Sequence, residues 1–367
     1  MKKILFAGIL PALILACSSP KHDGYIIKGT IIGINEGQAI ITNNPTTESI
    51  SDTAEIKKGK FTFTGKLTTP ENYVLIIGDK HVWFFLDNSE ITIRGDLVSL
   101  DQATVSGGSP LNKGVQAIKD KQNAVRNAYQ PDNLIMEYND ASPERKKEIE
   151  ELIDAINKEL EAIDATYIKE NPASPYTAIL VQSKMDDYLN KVDELVALVE
   201  TMDAAPALAN NRYVQELKMD VAALKRLEIG QQAPDFTQSD PNENPITFSD
   251  IYKKNKLTMI DFWAGWCPPC RQFNPTLVKL YNKYHQKGFE IIGVSMDRTK
   301  EQWTKAIADD KLTWPQVSTI TYWDNPVGKL YYIRYIPQNV FVDTDGKIVA
   351  KRVPEEETDI FLEEYLK

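Results

Sequence analysis

Leu257, Thr258, Met259, Ile260, Asp261, Phe262 and Trp263 form a mostly apolar run, and three residues later comes Cys267-Pro268-Pro269-Cys270. A run of that length bounded by a turn reads as a buried strand. The amphipathic stretch 271–287 follows, and Pro275 inside it predicts a helix that bends or restarts there. Strand, sharp turn, Cys-x-x-Cys and helix is an arrangement suited to thiol redox chemistry. It also constrains the domain around it, which must be a layered α/β unit with the cysteines where a strand gives way to a helix.

The 367 residues hold only three cysteines, Cys17, Cys267 and Cys270, too few for a disulfide-stapled scaffold. His22, His81 and His285 have no spaced partners, so no metal site is expected. Net charge is −10 and no long basic run occurs after the first residues, which argues against nucleic acid as a partner. Lys2 and Lys3 precede an apolar run at 4–16. That run is shorter than the about 20 residues a membrane span needs and has the layout of a secretory signal. Its end, Leu13-Ile14-Leu15-Ala16-Cys17, resembles the lipobox of bacterial lipoproteins. The resemblance implies a signal peptide at 1–16, lipidation at Cys17 and a tether at 17–24, so that a lipid holds the chain on a membrane of the cell envelope. Ser18 and Ser19 follow the cysteine without an aspartate, which resembles lipoproteins sorted to the outer membrane. Disulfides persist in that compartment. With Cys17 taken by lipid, Cys267 and Cys270 are the pair left for redox work.

The remainder divides into three stretches. Residues 25–108 carry short β-branched runs broken by turn residues, and Lys60-Phe61-Thr62-Phe63-Thr64-Gly65 alternates apolar and polar side chains. This predicts a small antiparallel β domain with strands near 25–32, 39–42, 60–65, 73–77, 81–86 and 90–94. His81 reads as an ordinary strand residue, and Trp83, Phe84 and Phe85 read as core. The break at Ser106-Gly107-Gly108-Ser109-Pro110 opens a helical stretch, 109–228. There Ser142 and Pro143 start a helix with an apolar stripe through Ile149, Leu152, Ile153, Ile156, Leu160, Ile163 and Tyr167. Residues 229–367 alternate strand and helix patterns and end in a hairpin around Thr344-Asp345-Gly346 and an amphipathic helix, a three-layer α/β domain.

Three patterns in that last stretch carry a specific resemblance. They are Gly230-x-x-Ala233-Pro234-Asp235-Phe236, then Asp261-Phe262-Trp263-Ala264-x-Trp266-Cys267-x-x-Cys270, then Ile336-Pro337. Together they resemble the thioredoxin-like envelope oxidoreductases of the TlpA/ResA type, related to the AhpC/TSA proteins. Residues 25–228 more diffusely resemble an N-terminal module of unassigned activity that precedes such domains, on general layout and the turn Asn171-Pro172-x-Ser174.

The resemblance implies a thioredoxin-like fold and a thiol–disulfide oxidoreductase whose only cofactor is its own Cys267–Cys270 pair. Cys267 would lie at a helix N-terminus, where the dipole and free N–H groups favour a thiolate. It would attack a substrate disulfide, and Cys270 would resolve the mixed disulfide. Asp261 matches the thioredoxin aspartate that serves the second cysteine as a buried acid and base. ResA-type members carry a glutamate shortly after the second cysteine; here Phe273 and Asn274 stand in that neighbourhood. Pro337 matches the family's cis-proline, which with Ile336 and Trp266 would form the substrate-binding surface. Gln338 and Asn339 depart from the threonines common there. Trp263 reads as core, and Arg271 as either a solvated helix residue or a thiolate partner.

The expected partners are disulfide-bearing envelope proteins, apocytochromes c among them, and a membrane electron donor if the chain is a reductase. A protein disulfide reductase is the leading expectation, with the direction of electron flow open, since Asp261 leans toward reduction and the compartment toward oxidation. A binding lipoprotein whose N-terminal half recognises a partner is the alternative. A thiol peroxidase is disfavoured because no proline, threonine or serine lies between Trp263 and Trp266.

Overall fold

A computed structural model describes residues 23–43, 52–68, 70–108 and 110–367. The expected signal peptide and Cys17 lie outside them. The strands come first: β1 Tyr25–Ile32, β2 Glu36–Thr42, β3 Asp52–Lys57, β4 Lys60–Gly65, β5 Glu71–Ile77, β6 Lys80–Leu86, β7 Glu90–Asp96 and β8 Thr104–Gly107. Helices follow: α1 Pro110–Tyr129, α2 Pro131–Asp140, α3 Pro143–Glu170, α4 Pro175–Ser183, α5 Met185–Tyr188, α6 Val192–Asp203 and α7 Arg212–Lys225. The chain then alternates: β9 Thr237–Ser239, β10 Pro245–Thr247, α8 Ser249–Tyr252, β11 Leu257–Trp263, α9 Pro268–Tyr284, β12 Phe289–Ser295, α10 Lys300–Asp310, β13 Gln316–Val317, α11 Pro326–Leu330, β14 Gln338–Asp343, β15 Ile348–Lys351 and α12 Glu355–Tyr365.

These elements form two compact units. One takes the described residues up to Ser183 with Thr201–Val214, and the other takes Lys184–Glu200 with Gln215–Lys367. Among the described residues no helix is long and apolar enough to cross a membrane.

The first unit holds an eight-stranded sheet in the order β6-β5-β2-β3-β4-β1-β7-β8. Its pairings are antiparallel except that of β1 with β7, which is parallel with Ile27 opposite Ile91. Period-two burial sets the core face: Ile27 and Ile31 from β1 meet Phe61 and Phe63 from β4 and Ile91 and Ile93 from β7. β3 was not foreseen, because Asp-Thr-Ala-Glu-Ile-Lys buries only Ile56. Ser142 caps α3, its Oγ accepting from the Arg145 N–H at 3.3 Å, with Pro143 at the first helical position. Ile149 and Ile156 of that helix pack against Val125 and Leu134.

The second unit is built on a sheet of order β13-β12-β11-β14-β15. β11 is central, parallel to β12 and antiparallel to β14. All seven of its residues are buried, as a strand covered on both faces requires. Alternation sorts them. Leu257, Met259 and Trp263 join the core shared with α9, α10 and α12, while Ile260 and Phe262 join the opposite core with Phe236, Phe248 and Tyr331. Each such fully buried apolar side chain is worth about 2 kcal/mol relative to exposure. Asp261 falls between Met259 and Trp263 on the α9 face, so one period-two rule places a carboxyl in an apolar layer.

Candidate active site

Cys267 and Cys270 are joined as a disulfide at the start of α9. The helix begins at Pro268, three residues before the start that its amphipathic pattern gives. The reason is local: the first helical positions have no intrahelical acceptor for an N–H, so Pro268 and Pro269 lose nothing there and bring a helical φ with them. Cys267 is therefore the N-cap. Its Sγ accepts from the Cys270 N–H at 3.2 Å, the first donor the two prolines leave. The same Sγ lies 3.8 Å from the carbonyl oxygen of Ile336. The Ile336–Pro337 peptide bond is cis. Cys267, Cys270, Ile336 and Pro337 are thus brought together.

Asp261 is 2% exposed, and its Oδ2 has no hydrogen-bond partner among the described residues. Burial alone pushes its pKa up to about 7. A cavity of about 380 Å³ adjoins it, lined by Asp261, Pro269, Phe273, Tyr335, Pro337 and Arg352. Phe273 shares the cavity wall, and Asn274 is turned instead to Asp310, donating through Nδ2 at 2.6 Å. Asn339 pairs across the ladder with Asp261 and bonds both polar groups of the Val353 backbone at 2.8 Å. Gln338 donates to the Tyr335 carbonyl at 3.0 Å. Both amides are spent on holding the proline loop.

The other side of the cysteine turn is built around residues that sequence reasoning did not single out. Asp297, just beyond β12, accepts the Gly265 N–H through both oxygens, at 3.2 and 3.0 Å, and the Ser295 hydroxyl at 2.7 Å. Burial raises its pKa, and those donors with the nearby Arg271 charge oppose the rise. Gly265 has to be glycine: a Cβ there would lie 2.9 Å from Ala306 Cβ and 3.0 Å from the Gln302 carbonyl. Arg271 is not free in solvent. It pairs with Asp310 through Nε and, at 2.8 Å, through Nη2, and donates from Nη1 to the Gly265 carbonyl at 3.2 Å. Trp266 donates from its indole N–H to the Met296 carbonyl at 3.1 Å and packs 5.2 Å from the Tyr322 ring, over which Arg298 lies at 3.8 Å from the centroid. Trp263 is core, its indole N–H on Gln316 Oε1 at 3.0 Å. The signal for Asp297 was its place just beyond the C-terminal end of a parallel strand, where α/β sheets gather functional groups. Asp310 and Tyr322 carried no such signal.

The segment Lys184–Glu200 touches the proline loop from behind. Arg334 Nε donates to Asp186 Oδ1 at 2.6 Å, and Arg352 Nη1 to the Leu189 carbonyl at 2.9 Å. The first unit has a larger cavity, about 550 Å³, lined among others by Trp83, Gln116, Lys119 and Asn123. Among the described residues no group of His, Cys, Asp or Glu is placed to hold a metal.

Residues 229–351 match the AhpC/TSA family, and 25–113 match a domain of unknown function. The chain is 32% identical over 143 residues to the thiol-disulfide oxidoreductase ResA of Bacillus thuringiensis subsp. konkukian, covering 39% of this chain and 79% of that one. It is 26% identical to ResA of Bacillus subtilis, over 40% of this chain and 78% of the relative. A solved thioredoxin domain of a thiol-disulfide oxidoreductase from Bacteroides vulgatus is 38% identical, with a TM-score of 0.36, over 38% of this chain and 99% of that one. With a disulfide capping α9 and relatives of this kind matched over most of their length, the chain belongs to the TlpA/ResA-type thiol–disulfide oxidoreductases.

Proposed function

We propose that the chain reduces disulfides in proteins of the cell envelope through a mixed disulfide. The observation that carries this reading is the Cys267–Cys270 disulfide at the N-cap of α9, with the buried Asp261 lining one cavity with Pro269 of the cysteine turn. In the dithiol form the helix N-terminus favours the Cys267 thiolate. The thiolate attacks one sulfur of the substrate disulfide. A bond forms between them as the substrate S–S bond breaks, and the departing substrate sulfur takes a proton. The Cys270 thiol then gives its proton to Asp261 and attacks Cys267 Sγ. The Cys267–substrate bond breaks, the second substrate sulfur leaves with the proton that Asp261 returns, and the enzyme ends as the disulfide. Two electrons have passed to the substrate, and a membrane electron donor restores the dithiol.

Trp266, Ile336 and Pro337 supply the surface on which the substrate chain lies, with the Ile336 backbone as its hydrogen-bonding edge. Disulfide-bearing envelope proteins, apocytochromes c among them, are the substrates this reading names. Replacing both Cys267 and Cys270 by serine abolishes disulfide exchange; activity in that variant overturns the proposal. With Cys270→Ser alone, substrates accumulate as mixed disulfides on Cys267, and sequencing them names the partners. Lipidation at Cys17 belongs to the same reading, and Cys17→Ala then leaves the chain in the soluble fraction; a variant that still sediments with membranes rules the anchor out.

A further inference from the structure

Arg352 stands at the end of β15 in the left-handed backbone region, with φ 53°, where a non-glycine residue costs about 1 kcal/mol or more and persists only when its surroundings hold it there. Three contacts do so. Its N–H donates to the Asn339 carbonyl at 2.8 Å, its Nε to Gln338 Oε1 at 3.3 Å, and its Nη1 to the Leu189 carbonyl at 2.9 Å. All three acceptors are neutral. Among the described residues no carboxylate pairs with this guanidinium, although burial lowers its pKa.

An arginine has five N–H donors. Nε and one hydrogen of Nη1 are spent, which leaves three donors on a residue that lines the cavity of about 380 Å³ together with Asp261 and Pro337. A half-buried positive charge with no counter-charge is costly by itself and becomes favourable when an anion arrives.

From this arrangement we infer that the cavity is a subsite for a carboxylate side chain of the substrate protein, an Asp or Glu beside the cysteine under attack, with Arg352 as the group that binds it. The inference rests on the oxidoreductase reading of the same site. The other charges at the cavity do not cancel it. Glu355 and Glu356 are exposed at the rim, where water screens them, and Glu355 accepts from the Thr276 hydroxyl at 3.0 Å. Asp261 is the third carboxyl, and with its pKa pushed up to about 7 by burial it carries only part of a charge near neutral pH. The helical segment Lys184–Glu200 enters the argument through Leu189, whose carbonyl aims the guanidinium. A TlpA/ResA-type domain without such a segment would have to hold this arginine in another way.

Three disulfide-bridged peptides identical but for Glu, Gln or Lys beside one cysteine test the idea on the full reduced chain. The native protein exchanges the Glu peptide about tenfold faster than the Gln peptide in kcat/KM, the ratio expected of one charge-assisted hydrogen bond. The Lys peptide is slowest. The Glu/Gln ratio falls to about one in Arg352→Met, partly survives in Arg352→Lys, and the Lys peptide becomes the best substrate of Arg352→Glu. Because each ratio is taken within one variant, a general loss of activity does not enter it. A native protein that does not prefer the Glu peptide, or an Arg352→Met variant that keeps the preference, overturns the inference. If the native protein exchanges none of the three peptides, the oxidoreductase reading itself fails.

Discussion

Two buried carboxyl groups flank the cysteine turn, and the protein provides for them in opposite ways. Asp297 receives the Gly265 N–H and the Ser295 hydroxyl and lies near Arg271. Asp261, one strand over, has an Oδ2 with no partner among the described residues. Burial raises the pKa of both, but donors offset it at Asp297 and nothing offsets it at Asp261. The difference separates two uses of the same side chain. A carboxylate with its lone pairs filled is a fixed anchor, and here it pins the backbone at Gly265, two residues before Cys267. A carboxyl left unfilled in an apolar layer is a group whose proton can be moved near neutral pH, which is what the second step of disulfide exchange needs.

The largest test of that contrast is the pH dependence of Asp261→Asn. An unfolded aspartate titrates near 3.8, and the native Asp261 at about 7. Between those values the native state keeps a proton that the unfolded state has lost. Stability therefore falls as pH rises from about 4 through about 7, and stays low above that. A shift of this size corresponds to on the order of 4 kcal/mol. Asp261→Asn removes the titration, so its stability relative to the native protein should improve by about that amount between pH 4 and pH 9. Denaturant unfolding of the disulfide form across that range, followed by tryptophan fluorescence, measures the swing. In exchange assays the same variant should lose the inflection near 7. A difference that does not vary with pH would make Asp261 another anchor, like Asp297.

How much of this was legible in the sequence follows the same division between local and distant contacts. The strand β11, the cysteine pair and the carboxyl at 261 could be read because all three lie within fourteen residues, Leu257 to Cys270. Ile336-Pro337 was legible only through family resemblance, since nothing in its neighbours says that the loop returns to Cys267 Sγ. Arg352 and Leu189 are 163 positions apart, and no local pattern announces their contact. Arg271 could not be settled because its partner Asp310 sits 39 residues on, at the end of α10. In the first unit, β4 was plain because Phe61 and Phe63 alternate with threonine and lysine, while β3 hid behind polar side chains on both faces. The parallel pairing of β1 with β7 could not be inferred, since strand patterns state which face is buried and not which neighbour is chosen.

Asp297 supplies the second, smaller test, and it should respond in the opposite sense. Asp297→Ala leaves the Gly265 N–H and the Ser295 hydroxyl without their acceptor in a buried place. Lost charge-assisted bonds and unmet donors of this kind together cost about 3 kcal/mol. Because the side chain holds the backbone two residues ahead of the reacting sulfur, exchange should slow along with the loss of stability. Asp297→Asn keeps one oxygen for Gly265 and should recover part of both. The deficit of either variant should vary less with pH than the Asp261→Asn difference, since donors and the Arg271 charge oppose the rise that burial gives Asp297, whereas the Asp261→Asn swing runs from about pH 4 to about pH 7. If Asp297→Ala instead loses little stability and moves the inflection near 7, then Asp297 is the proton-transferring group, and the two carboxyl groups have exchanged the roles that their hydrogen bonds assign.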